Sequence, residues 1–177
     1  MPIPQSVKDT ISKKDGSVKS IDASNWGIDD NNVTELVELL NTNLYIKKLN
    51  LSRNNIGEGA KLLAKLIYVN DINLSYNSIM DEQIEALAKS SIQRLDLSRN
   101  LITDKGGDIL AEHSTQIYLK LDKTQISENM LNKIKTKIAS NSHLQLKSTL
   151  SQETSNQNAK PIDSSISFDS SCPTKRL

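Results

Sequence analysis

One eleven-residue phrase occurs three times at a fixed interval, and it restricts the possible folds of this chain more than any other feature. It reads I-K-K-L-N-L-S-R-N-N-I from Ile46 to Ile56, V-N-D-I-N-L-S-Y-N-S-I from Val69 to Ile79, and I-Q-R-L-D-L-S-R-N-L-I from Ile92 to Ile102. Inside each phrase apolar residues alternate, as at Leu49 and Leu51; a turn carrying Asn54 follows, and Ile56 tucks back beneath it. Such alternation specifies a short strand with one buried face. A strand this short buries little alone, so copies must stack on a continuous core, and the period of 23 residues predicts a solenoid.

Between the phrases the apolar spacing becomes helical. Val33, Leu36, Val37 and Leu40 form an i, i+3, i+4, i+7 stripe behind Asp29-Asp30-Asn31-Asn32, which supplies capping and acidic first-turn residues. The next helices are expected to bury Ala60, Leu63, Ala64 and Ile67, then Ile84, Leu87 and Ala88. After them come Gly106, Gly107, Leu110 and Ala111, whose glycines allow a close approach of helix to sheet edge. A degenerate first copy has Val18, Ile21, Ala23 and Ile28, with Trp26 where later copies have asparagine. A fifth keeps Leu119, Leu121 and Ile126, with Thr124 in the asparagine place, and leads into a longer helix with Met130, Leu131, Ile134 and Ile138 inward. Leu144 and Leu146 fall at the two inward strand positions and predict a half-repeat over 142–148 that covers the last core layer.

The expected organisation is therefore an N-terminal cover over 1–17, without clear periodicity, and a repeat domain over 18–150 with five repeats and the half-repeat. A Ser-rich tail over 151–177 lacks the apolar surface to order itself. The expected class is an α/β solenoid, with a parallel sheet on the concave face and short helices on the convex face.

Composition narrows function by exclusion. A formal charge of +1 gives no general argument for nucleic acid or anionic membranes. Apolar runs are broken by Lys or Asn, so no membrane span is expected, and M-P-I-P-Q-S-V-K-D lacks the basic and apolar regions of a signal peptide. The single cysteine, Cys172, rules out an internal disulfide and a Cys-based metal site. The two histidines, His113 and His143, have no Ser, Cys or acidic partner at a catalytic spacing. Gly57-Glu58-Gly59 and Gly106-Gly107 follow no nucleotide-binding pattern. The chain is expected to be no enzyme, with no cofactor and no metal.

The phrases resemble the leucine-rich repeat L-x-x-L-x-L-x-x-N-x-I, matched at Ile46, Leu49, Leu51, Asn54 and Ile56, and in the same way from Val69 and from Ile92. Gly59-Ala60-x-x-Leu63-Ala64, echoed at Leu87-Ala88 and Leu110-Ala111, is similar to the helical half of the ribonuclease-inhibitor subclass. The period of 23 is shorter than the roughly 28 of that subclass, so the helices should be short; bacterial leucine-rich-repeat effectors look closer. The resemblance implies that Asn54, Asn77 and Asn100 form a structural ladder, their carboxamides bonding to backbone groups of the turns.

Residues that alternate with the inward leucines define columns across the sheet, about 4.8 Å apart from strand to strand. One column is Ser20, Lys48, Asp71, Arg94, Tyr118; the next is Asp22, Asn50, Asn73, Asp96, Lys120. A third runs Ser24, Ser52, Ser75, Ser98, Asp122, and at the strand exit stands Asn25, Arg53, Tyr76, Arg99, Lys123. The last sets a tyrosine between two arginines, residue types enriched at binding hot spots. The candidate partner-binding residues are Lys48, Arg53, Asp71, Tyr76, Arg94, Asp96, Arg99 and Tyr118. The competing expectation is that Lys48, Asp71 and Arg94 neutralise one another and that the arginines merely cover Tyr76. The chain is expected to be a monomer that binds a protein partner non-catalytically. It would act as a bacterial effector exported to a host cell by a route without an N-terminal signal peptide, or as a cytoplasmic regulatory or structural scaffold in its own cell; the remaining alternative is an enzyme whose site the sequence does not reveal.

Overall fold

The computed structural model describes residues 3–156, with side-chain surroundings through residue 144. The chain divides into two compact units, Met1–Leu144 and Gln145–Leu177.

The first unit is an α/β solenoid built on a five-stranded parallel sheet in chain order. Its strands are β1 (Ser20–Asp22), β2 (Lys48–Asn50), β3 (Asp71–Asn73), β4 (Arg94–Asp96) and β5 (Tyr118–Lys120). Their register sets Ser20, Lys48, Asp71, Arg94 and Tyr118 side by side, which is the first column of the sequence. Inward residues Ile21, Leu49, Ile72 and Leu95 are buried, together with the second inward position at Leu51, Leu74 and Leu97 and the returning Ile56, Ile79 and Ile102. One apolar core therefore runs from repeat to repeat.

Helices α2 (Asp30–Asn41), α3 (Ala60–Leu63), α4 (Ile84–Ala88) and α5 (Asp104–His113) close the other side. Asp29 caps α2 by accepting the Asn31 N–H at 3.0 Å, while the Asn32 carboxamide oxygen returns to the Asp29 N–H at 3.3 Å. The helix α3 is only four residues long, and its first turn is satisfied from the previous repeat: Asp30 accepts the N–H groups of Gly57 at 2.8 Å, Glu58 at 3.2 Å and Gly59 at 2.8 Å. The same position recurs 51 and 74 residues later. Asp81 accepts the Thr103 N–H at 2.8 Å and its hydroxyl at 2.6 Å, and Asp104 accepts the Ser127 N–H at 2.6 Å. These carboxylates tie the first repeat to the second, the third to the fourth and the fourth to the fifth; at the equivalent place in the second repeat Glu58 pairs instead with Lys61 of its own helix.

Four expectations are corrected. Leu66, not Ile67, enters the core, because α3 ends at Leu63 and the chain then turns; Ile67 is left 64% exposed. The glycines serve contacts between repeats rather than approach to the sheet edge: a Cβ on Gly106 would lie 2.5 Å from Asp81, and one on Gly107 would lie 2.6 Å from Met130. The N-terminal segment is periodic after all. It forms α1 (Gln5–Ile11), whose Val7 and Ile11, together with Ile3 just before the helix, seal the first core layer, with Asn43 donating to the carbonyls of Ile11 at 2.6 Å and Lys13 at 2.9 Å. Finally, 142–148 is no half-repeat strand but part of α6 (Glu128–Asn156), and Leu144 is exposed. No glycine or proline stands between Glu128 and Asn156 to stop a helix once started. Residues 151–156, assigned above to the tail, continue that helix, and the rest of the Ser-rich stretch lies outside the described residues.

Candidate functional site: the concave face and the strand-exit edge

The turns after the strands are set by carboxamides. Asn77 donates to the carbonyls of Leu51 at 2.9 Å and Leu74 at 3.0 Å, and its oxygen accepts the Ile56 N–H at 3.0 Å. Asn100 repeats this with Leu74, Leu97 and Ile79, and Asn54 with Ala23, Leu51, Trp26 and Ile28. Each carboxamide thus joins the turn of its own repeat to the preceding one. In the fifth copy Thr124 reaches only its own turn, at the Leu121 carbonyl, 2.9 Å away.

In all five copies the residue before the turn position is in left-handed backbone, whether that position holds asparagine, Trp26 or Thr124. Asn25, Arg53, Tyr76, Arg99 and Lys123 have φ of 58°, 58°, 56°, 56° and 58°. This region favours glycine and asparagine, and an arginine, tyrosine or lysine held there costs about 1–2 kcal/mol. Asn25 is the residue the geometry prefers; the other four are large. They stand at the strand-exit edge with Arg53, Tyr76 and Arg99 exposed. The Arg53 guanidinium lies 4.4 Å from the Tyr76 ring centroid on one side, and the Arg99 guanidinium lies 4.6 Å from it on the other.

On the sheet face the first column is compensated internally. Asp71 meets Lys48 at 3.9 Å and Arg94 at 3.4 Å, and Arg94 stacks 4.4 Å from the centroid of Tyr118. Both bland expectations, neutralisation and stacking, describe geometry that is present. Asp96 belongs largely to the turn: it accepts the Ser98 N–H at 2.9 Å, as Asp22, Asn50 and Asn73 do in their own repeats, and meets Lys120 at 3.9 Å. The strand-exit edge differs. Among the described residues, Arg53, Arg99 and Lys123 have no carboxylate within ion-pair distance, although the sheet-face charges beside them do.

The opposite edge, where the strands begin, carries a patch absent from the sequence-based site. Leu44, Ile67 and Tyr68 are exposed, and Lys19 and Lys47 lie over the rings of Tyr45 and Tyr68. The signal was present as Leu44-Tyr45 and Ile67-Tyr68, an apolar-aromatic pair repeated at the 23-residue period. A groove of about 780 Å³ between β5 and α6 is lined by Leu119, Leu121, Ile126, Leu131, Ile134 and Ile138. Chemistry-bearing residues do not converge: His113 ends α5 beside Glu112 and His143 is exposed on α6. No group of three metal-ligating side chains occurs among the described residues, and none of their helices is long and apolar enough to cross a membrane.

A leucine-rich repeat model matches residues 42–64 and 89–111. No curated protein sequence matches the chain. Among solved structures, the tropomodulin C-terminal domain of Caenorhabditis elegans superposes with a TM-score of 0.63 at 15% identity, over 83% of this chain and 98% of that one. Leiomodin-1 actin-binding site 2 superposes with a TM-score of 0.66 at 16% identity, over 85% and 95%. At these identities the likeness is one of fold. Repeat phrases, parallel sheet and neighbours together define a leucine-rich repeat solenoid.

Proposed function

We propose that this protein is a non-catalytic binding module that holds a protein partner against its strand-exit edge and the adjoining concave sheet. The observation that carries the reading is Tyr76 clamped between Arg53 and Arg99. Folding alone would favour asparagine or glycine at these backbone angles, yet three large, exposed, interface-type side chains stand there in a row. Lys48, Asp71, Arg94 and Tyr118 extend the surface across the sheet as a charge-balanced floor, while Asp96 supports the turn.

Tyr76→Ala and Arg99→Ala should each weaken partner binding by about 2 kcal/mol, while convex-side changes at Lys61, Glu85 and Lys89 leave it unchanged. Partner loss in the convex-side variants, with retention in the edge variants, would move the working surface to the helices. Two cellular settings follow from the sequence: an exported bacterial effector acting on a host protein, or a cytoplasmic scaffold in its own cell. Capture from a eukaryotic lysate against the organism's own lysate, with Tyr76→Ala as control in both, separates them. Actin is a defined first ligand to assay, because the leiomodin-1 structure is described as an actin-binding site.

A further inference from the structure

We infer that the strand-exit edge takes an acidic, extended protein segment, with carboxylates three residues apart seated on Arg53 and Arg99. This rests on the binding role proposed for the same edge and names the chemistry of its partner.

Three observations converge. The first is the distribution of charge: Lys48, Arg94 and Lys120 on the sheet face are answered by Asp71, Asp96 and Asp122, whereas Arg53, Arg99 and Lys123 have no carboxylate at hand among the described residues. A run of uncompensated cations beside a compensated surface calls for negative charge from outside. The second is local order. Each arginine is held against one face of Tyr76, so the guanidiniums are positioned before a ligand arrives, and less side-chain freedom is lost on binding. Their fork of N–H donors suits a carboxylate. The third is spacing. Arg53 and Arg99 are two strands apart, about 9.6 Å at the usual strand separation. In a polyproline-type extended chain, residues i and i+3 lie on one side about 9.3 Å apart. Regular helix and β-strand fit less well, since neither presents consecutive same-face residues at that interval. Lys123, one strand beyond Arg99, is placed to meet a later carboxylate.

A nucleic acid would also answer uncompensated cations, but it would seek them across a broader basic surface, and here the adjoining columns carry Asp71, Asp96 and Asp122.

The test uses the full chain and a fluorescein-labelled peptide of four Glu-Pro-Ser triplets, read by anisotropy at low and high salt. The same peptide with Gln for Glu, and a single-stranded DNA dodecamer, serve as controls. Saturable binding of the Glu peptide is expected, weakened about tenfold by Gln substitution and about tenfold by the double variant Arg53→Asn, Arg99→Asn. Asparagine suits the left-handed backbone and occupies this place in the first repeat, so the double variant should fold; its thermal midpoint checks that. Lys89→Gln on the convex side should change binding less than about twofold. The inference is overturned if the Gln peptide binds equally well, if the double variant keeps full affinity, if the DNA displaces the peptide at lower concentration than the peptide itself, or if no saturation is reached by about 1 mM. Should the peptide fail while Tyr76→Ala still abolishes capture of a cellular partner, the binding role stands and the acidic-segment inference falls. Loss of both would remove the edge from function altogether.

Discussion

Left-handed backbone at four large residues is a cost that the repeat imposes and the sequence has not minimised. At Lys123 nothing visible offsets it, since that lysine has no stacking partner and no ion pair among the described residues. Lys123→Asn should therefore stabilise the fold by about 1 kcal/mol in denaturant titration. At Arg53 and Arg99 the same change removes a cation-π contact worth about 0.5–1 kcal/mol, so the gain should be smaller, and equal gains at all three would mean the stacking is inert. Asn77→Ala should do the opposite. It leaves the Ile56 N–H without its partner and takes one of two carboxamide donors from each of the Leu51 and Leu74 carbonyls, which keep Asn54 and Asn100, in a site only 8% exposed, at a cost of about 1–3 kcal/mol in the same titration. The asparagines and the Arg-Tyr-Arg row were legible in the sequence because both recur at the period. The backbone strain that gives the row its meaning was not, because arginine, tyrosine and lysine are not the residue types by which left-handed backbone is ordinarily read.

Among elements, legibility followed the phrase. Strand registers came out of the columns directly, since a period-2 pattern repeated at constant spacing leaves one alignment. The helices were harder. In a four-residue element such as α3 the periodicity has too few turns to distinguish Leu66 from Ile67, and at 142–148 two leucines at strand spacing could not outweigh a helix already under way. The helix α1 was missed although Ile3, Val7 and Ile11 are four residues apart. Shortening Ile11 to Ala should cost about 2–4 kcal/mol, because the side chain is fully buried and Asn43 fixes the backbone around it; thermal or urea unfolding decides. The carboxylates between repeats make a separate prediction. The hydrogen bond from the Ser127 N–H, then that from its side chain, hold the Asp104 pKa below its usual 3.8. A carboxyl with a lowered folded-state pKa contributes stability above the ordinary aspartate range and loses it as pH falls toward the lowered value. The midpoint difference between the parent and Asp104→Asn should thus be largest near neutrality and shrink below pH about 4.

For the molecule as a whole, the unit Met1–Leu144 has its own continuous core, so a chain ended after Leu144 should melt within about 5 °C of the parent; a larger drop would show that the later residues support it. The two ends of that core are not alike. The first layer is sealed by α1, whereas at the last one Leu119 is only half-buried and lines an open groove. A stacked array unravels from the layer with the fewest neighbours. Time therefore runs through this fold in one direction. The Leu97 amide, bonded to the Lys120 carbonyl, should exchange with deuterium sooner than the Leu74 amide, and that sooner than the Leu51 amide, as openings that begin at β5 travel inward one repeat at a time.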